Sequence, residues 1–174
     1  MADTVRDLTD LLALLVVGGS GAIGAQDMRD ILVSVHGVDG EIYTFDGSTA
    51  QTGIGVTPTL LTGFAADGLA NGITPAHASD KLTVGTDGIY EVDSIISFSG
   101  TLNTLFTFEF AIDGVTASRG FERKIGSGGD TGTTGGKARL SMSAGEAVTL
   151  LVNADGASKS LTITYGTLAA KRIR

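Results

Sequence analysis

From Glu41 onward the sequence keeps returning to a repeat of two. Phe106, Phe108, Phe110 and Ile112 alternate with Thr107, Glu109 and Ala111. Alternation of this kind sends one set of side chains to one face of a pleated strand and the rest to the other. Tyr90, Val92, Ile96 and Phe98 make a second apolar face, backed by Glu91, Asp93 and Ser97. Ala138, Leu140 and Met142 make a third; Val148, Leu150 and Val152 a fourth; Leu161, Ile163 and Tyr165 a fifth. Residues 54–61, 82–84 and 115–121 are weaker strand candidates. Short half-buried strands at this density, with no helical pattern after residue 36, confine the chain to sheet packed on sheet. The expected fold class is mainly β, an antiparallel jelly-roll sandwich.

The turns carry a signature of their own. Asp39-Gly40, Asp46-Gly47, Asp67-Gly68, Asp87-Gly88, Asp113-Gly114 and Asp155-Gly156 are all Asp-Gly, and Asn71-Gly72 is a close analogue. Such pairs accept positive φ and are expected to punctuate the strands at their ends. Asp113-Gly114 alone sits in a tight hairpin context. Residues 126–136 (GSGGDTGTTGG) are too rich in Gly for a core strand and read as a mobile surface loop.

Residues 4–36 follow a different period. Val5, Leu8, Leu12 and Leu15 recur on one helical face, and Met28, Ile31, Leu32 and Val35 on another. Gly18 and Gly19 separate them. The reading is a helical hairpin with too little interior to stand alone. It divides the chain into an N-terminal helical anchoring segment, 1–40, and a jelly-roll domain, 41–174. Leu8, Leu12, Leu15, Met28, Ile31 and Leu32 are the expected anchoring residues.

Several function classes fall away. The chain has no Cys, so it has no disulfide framework and no thiolate metal site. Its net charge of −7 makes it a poor partner for nucleic acid. The longest apolar run, Leu11 to Val17, is far shorter than the ~20 residues a membrane span needs. Asp3, Asp7 and Asp10 stand where a signal peptide would carry cations. No membrane association and no passage through a secretory membrane are expected.

Gly19, Gly21 and Gly24 satisfy G-x-G-x-x-G, but the βα units of a dinucleotide fold do not follow. The glycines read as an interhelical turn, and no cofactor is expected. His36 and His77 lack acidic neighbours at metal-ligand spacing, so no metal is expected either. No G-x-S-x-G elbow is present. Glu109, Glu122 and Glu146 are the carboxylates a glycan-acting enzyme would need, yet outward Glu residues on a sheet are ordinarily just solvated. The expectation is a non-enzymatic protein.

Apolar residues also occur on the second faces of the strands, as Ile89 and Ile95 do opposite Tyr90 and Val92. An isolated antiparallel sandwich keeps one face wet, so this points to a further buried surface. Tyr90, Phe106, Phe108, Phe110 and Tyr165 are the expected core residues and the candidates for packing at that further surface. Basic residues gather at Arg119, Arg123 and Lys124, at Lys137 and Arg139, and at Lys171, Arg172 and Arg174. They read either as solvated edges or as groups that meet acidic neighbours across a subunit contact or bind an acidic receptor, with Arg119, Arg123, Lys137 and Arg139 as the recognition candidates.

Residues 82–98 (LTVGTDGIYEVDSIISF), 108–120 (FEFAIDGVTASRG), 138–153 (ARLSMSAGEAVTLLVN) and 161–173 (LTITYGTLAAKRI) resemble the jelly roll of the tumour necrosis factor and complement globular-head superfamily. The resemblance implies a homotrimer packed about a threefold axis. Residues 21–35 (GAIGAQDMRDILVSV) resemble a segment near the N-terminus of tailed-phage structural proteins, where it precedes trimeric head-fibre, decoration or tail-fibre domains. Together the two resemblances imply a virion appendage located on the capsid surface. Its partners would be itself and the major capsid protein or another virion protein. A tail-fibre or tail-tip module that binds a host glycan or protein is the alternative, and a glycan-acting enzyme on a β scaffold is the third reading.

Overall fold

The computed structural model describes residues 37–173. The expected helical hairpin, with Leu8, Leu12, Leu15, Met28, Ile31, Leu32 and the Gly19–Gly24 connection, lies outside the described residues. The strands are β1 (Asp39–Phe45), β2 (Ala50–Ile54), β3 (Thr59–Leu60), β4 (Ala66–Asn71), β5 (Ile73–Ala76), β6 (Lys81–Val84), β7 (Gly88–Gly100), β8 (Leu105–Ile112), β9 (Val115–Lys124), β10 (Gly132–Met142), β11 (Ala147–Ala154) and β12 (Lys159–Arg172). All pairings are antiparallel. One sheet runs β10-β7-β12-β1-β4, with β2 also on β12. The other runs β5-β6-β11-β8-β9, with β3 also on β11. The two form a jelly-roll sandwich.

The period-two rows explain the core. Tyr90, Val92, Ile96 and Phe98 of β7 point inward, as do Phe106, Phe108 and Phe110 of β8, and all are buried. The Phe98 ring meets Phe106 at 5.6 Å and Phe108 at 5.3 Å, edge to face. Phe108 stacks on Phe121 at 5.4 Å. Offset and edge-on aromatic packing adds to the gain from burial itself, about 1.5–3 kcal/mol for each large apolar side chain. Ser94 lies in the same inward row of β7, and its hydroxyl donates to the Thr167 carbonyl at 2.7 Å, which makes its burial tolerable.

Four expectations need correction. First, the chain forms more strands than the pattern suggests. Short β2 and β3 replace a single strand at 54–61, while β1, β4 and β5 carry too few apolar residues to stand out. Second, Gly132–Gly136 is not a loop but the first half of β10, paired with β7 from Gly132↔Phe98 onward. Side chains from β9 occupy the space its own side chains would need: Arg123 lies over Gly132 and Phe121 over Gly136. The connection before it is tied down by Asp130, whose carboxylate accepts the Gly126 N–H at 3.1 Å and meets Arg123 at 3.4 Å. Gly136→Val would place a Cβ 2.5 Å from the Phe121 ring. We expect it to cost about 1–3 kcal/mol of stability by urea unfolding.

Third, Asp67-Gly68 lies inside β4 rather than at a strand end, whereas Asp39-Gly40 opens β1. Asp113-Gly114 does form the two-residue hairpin, with φ of 49° and 79°, the two positive values a type I′ turn requires. Fourth, Tyr165 does not share a face with Leu161 and Ile163. The β7–β12 register slips between Ile163 and Tyr165, so Thr164 is the extra residue and the faces exchange beyond it. Leu161 and Ile163 are buried; after the bulge Gly166, Leu168 and Ala170 point inward and Tyr165 points out. Ile112 was expected in the Phe row but is half-buried beside a buried Ala111; the β8–β9 slip between Glu109 and Ala111 puts its extra residues on β9, while β8 keeps continuous register with β11.

The two ends of the sandwich differ. Four connections, 55–58, 101–104, 125–131 and 155–158, cross between the sheets at one end, which we term the apex. The opposite end, the base, holds the start of β1 and the end of β12, with Asp39 beside Lys171. Near the edge, Asp80 (φ 49°) accepts the N–H groups of Gly63 and Phe64, each at 3.1 Å. Burial pushes its carboxyl above the usual range, while those amides and the nearby His77 pull the other way. A raised folded pKa favours the protonated form. Its stabilising contribution is therefore full below the unfolded carboxyl range and is lost as pH rises through the raised value. Asp80→Asn keeps the acceptor, suits left-handed backbone and removes the charge. It is expected to match or exceed the parent's stability at pH 7 and to flatten the pH dependence, whereas Asp80→Ala loses about 1–3 kcal/mol. Urea unfolding between pH 4 and 8 checks both.

Candidate functional site

The outer face of the first sheet carries what the core does not absorb. On β1 the outward row is Asp39, Glu41, Tyr43 and Phe45. On β12, beyond the bulge, it is Tyr165, Thr167, Ala169 and Lys171. On β7 it is Glu91, Asp93, Ile95 and Ser97, and on β10 it includes Lys137 and Arg139. Register brings these rows together: Phe45 faces Tyr165, Tyr43 faces Thr167, and Thr167 faces Ile95.

The half of this face nearer the apex is aromatic and aliphatic. Phe45 is 76% exposed, Ile95 58%, Tyr165 47% and Tyr43 37%. The Phe45 and Tyr165 rings meet edge to face at 5.1 Å. With Glu41, Thr44, Ser97, Gly166 and Thr167 they line an open concavity of about 720 Å³. Isolated exposed apolar residues need no explanation, but four large ones in contiguous rows mark a contact surface.

The half nearer the base is charged. Lys137 Nζ donates to Glu91 Oε1 at 3.0 Å, and Arg139 Nε lies 4.0 Å from Glu91 Oε2. The Lys137 hydrogen bond, reinforced by the charges of Lys137, Arg139 and Lys171, holds the Glu91 carboxyl below its usual range. The same bond raises Lys137.

No protein-family model and no curated protein matches the sequence. Solved structures do. The globular domain of zebrafish complement 1qA has a TM-score of 0.57 at 14% identity, over 79% of this chain and 98% of its own. Eiger TNF from S. frugiperda has a TM-score of 0.53 at 12% identity, over 79% and 93%. Murine APRIL at pH 8.0 has a TM-score of 0.51 at 14% identity, over 78% and 99%. The fold is a C1q/TNF-like jelly roll.

Within this C1q/TNF-like jelly roll the expected packing residues separate. Tyr90, Phe106, Phe108 and Phe110 are interior, and the Tyr90 hydroxyl donates to the Thr86 carbonyl at 2.7 Å. They fill one protomer and cannot also touch another. Tyr165 is the one of the five that faces out. Its neighbours Tyr43 and Phe45 escaped the sequence reading, although both alternate with Ile42 and Thr44 in the pattern already used for other strands.

The four expected recognition cations do not form one patch. Lys137 and Arg139 share the outer face just described. Arg123 reaches across β10 to Asp130 and to the Thr133 carbonyl, at 3.4 Å each. Arg119 donates to the Ala117 carbonyl at 3.0 Å and lines a shallow groove of about 370 Å³ on the other sheet. Glu109 and Glu122 line that groove too, with Thr107, Ser118, Gly120 and Phe121.

Proposed function

We propose that the chain is a non-enzymatic structural protein of a phage virion, a homotrimer that decorates the capsid or forms a head fibre. The observation that carries the self-association is the exposed row of Tyr43, Phe45, Ile95 and Tyr165 on one sheet face. A second and a third copy are occupants that offer the same apolar chemistry, and a closed cyclic arrangement hides all three faces at once. The superfamily resemblance of residues 82–173 supports three as the number.

The resemblance of residues 21–35 to phage structural proteins supports the virion role. Three N-terminal segments on one trimer would engage neighbouring shell subunits together, so modest single contacts add through effective concentration. Binding only the assembled shell would stabilise it by mass action. Full chain mixed with undecorated particles should co-sediment with them. The triple variant Leu8→Asp, Leu12→Asp and Leu15→Asp should stay trimeric and lose that binding. Retained binding would overturn the anchoring role.

The apex favours a second reading, a receptor-binding module on the tail. Val56 (67% exposed) and Leu102 (50%) stand on the crossing connections there, at the end opposite the start of β1. A host surface glycan or protein would meet that end. Copy number decides: many copies over the head support decoration, and a few at one vertex support the tail.

A further inference from the structure

The six Asp-Gly pairs share a sequence but not a setting. In such a pair the main-chain nitrogen of the glycine can attack the side-chain carboxyl before it, because glycine puts no Cβ beside the attacking atom. The attack needs two groups at liberty, the Asp carboxyl and the N–H that follows it. At five pairs the fold engages one of them. Asp67 Oδ1 accepts the His77 N–H at 2.7 Å, Asp87 Oδ1 the Ala144 N–H at 2.8 Å and Asp113 Oδ1 the Ala147 N–H at 3.0 Å. The Gly47 N–H donates to the Thr164 carbonyl at 2.9 Å. Gly40 has a paired strand on either side, with Ala170 opposite on β12 and Ala70 on β4, which keeps its backbone in the ladder.

Asp155-Gly156 differs from the rest. It lies in the irregular 155–158 connection at the apex, and Asp155 is exposed. Among the described residues, neither the Asp155 carboxylate nor the Gly156 N–H has a hydrogen-bond partner. The Lys159 side chain folds back beside the pair, with Nζ 3.6 Å from the position that a Cβ on Gly156 would take. A cation there favours loss of the Gly156 amide proton, and the deprotonated nitrogen is the attacking form.

We propose that Asp155 is a site of spontaneous isomerisation to isoaspartate, selected by the fold from six identical dipeptides. The Gly156 nitrogen bonds to Asp155 Cγ, and the carboxyl OH leaves with the amide proton as water. The product is a cyclic succinimide, one water lighter than the parent. Water then adds back at either carbonyl of the ring. Addition at Cγ restores aspartate. Addition at the Asp155 main-chain carbonyl breaks its bond to the Gly156 nitrogen and leaves the chain running through Cγ. Composition is unchanged overall, and no oxidant or reductant takes part. The isoaspartate adds one carbon to the main chain between two bonds that tie the apex together, Ala154 N–H to the Gly55 carbonyl at 2.8 Å and Ser160 N–H to Thr101 Oγ1 at 2.9 Å. The apical surface therefore changes with age. The inference stands apart from self-association and from the virion role.

The test uses the full chain, held folded at physiological temperature and pH and sampled over weeks. Trypsin separates the pairs: 140–159 holds Asp155 as its only Asp, and 82–119 holds Asp87 and Asp113. The remaining pairs fall in 30–81 together with Asn71-Gly72, so 82–119 is the comparison. Electron-transfer fragmentation locates isoaspartate within each peptide. It should build up at Asp155 while Asp87 and Asp113 stay aspartate. Asp155→Glu should lose the signal, because its side chain must close a larger and far slower ring. In urea the bonds to Asp87 and Asp113 are gone, and those two should then isomerise as fast as Asp155. No isoaspartate at Asp155, equal build-up at Asp87 or Asp113 in the folded chain, a signal that persists in Asp155→Glu, or an unchanged preference in urea each overturns the proposal.

Discussion

Ile95→Asp should turn the proposed homotrimer, at three times the 17.7 kDa chain mass, into folded monomers at micromolar concentration. Ile95 points away from the core, is 58% exposed and sits between Ser94 and Ile96, which both point inward. Within the protomer the substitution replaces one solvated side chain by another, so strand content should not change. Within the trimer it places a carboxylate in each of three apolar contacts. Truncation at the centre of an interface commonly costs about 2–4 kcal/mol per site, and burying an unpaired charge costs at least as much. Each contact is therefore expected to weaken by about 30-fold or more. Phe45→Ser with Tyr165→Ser should act in the same direction by removing adhesion without adding charge. Sedimentation and circular dichroism on the same samples separate dissociation from unfolding. A trimer that survives Ile95→Asp places the contact on another face and overturns the role given above to the row of Tyr43, Phe45, Ile95 and Tyr165.

The second large effect is on the fold itself. Phe108→Ala should remove about 3–5 kcal/mol of stability. Its ring touches Phe98 and Phe121, so one truncation undercuts both sheets and the stacked pair that holds β9 over β10. Domain stabilities lie near 5–15 kcal/mol, so the variant should lose a large part of its total and part of its soluble yield. Urea unfolding at one fixed protein concentration checks it, because a trimer's apparent stability depends on concentration. Phe45→Ala, which removes a ring that is 76% exposed, should leave protomer stability nearly unchanged under monomeric conditions. Equal losses in the two variants would contradict the division between interior and contact face.

That division explains what could be read from the residues alone. The rows of β7 and β8 were legible because alternation is local, and any pleated strand with one wet face writes it. The exchange of faces at Thr164 was not legible. A bulge is fixed by the partner strand's register, and nothing in LTITYG marks which residue will be the extra one. Gly132–Gly136 misled for a related reason. Glycine argues against a strand when a strand must fill its own surroundings, yet here Phe121 and Arg123 fill them from the other sheet. The contact face suffered most. Tyr43 and Phe45 are two aromatics in a short stretch with a single strong apolar partner, Ile42. Only the pairing of Phe45 with Tyr165 gathers them into one surface. Lys137, Arg139 and Glu91 were visible as charges, but their order across the sheet exists only once four strands are in register.

Because β1 and β12 are hydrogen-bonded neighbours, with Asp39 directly beside Lys171, the start and the end of the jelly roll meet at one place. A short linker from residue 172 to residue 39 would close the domain into a continuous loop of chain. It could then be reopened at the 155–158 connection without breaking a strand. In such a circular permutant both new termini emerge at the apex. A foreign segment fused there would be carried on the side of the domain away from the base.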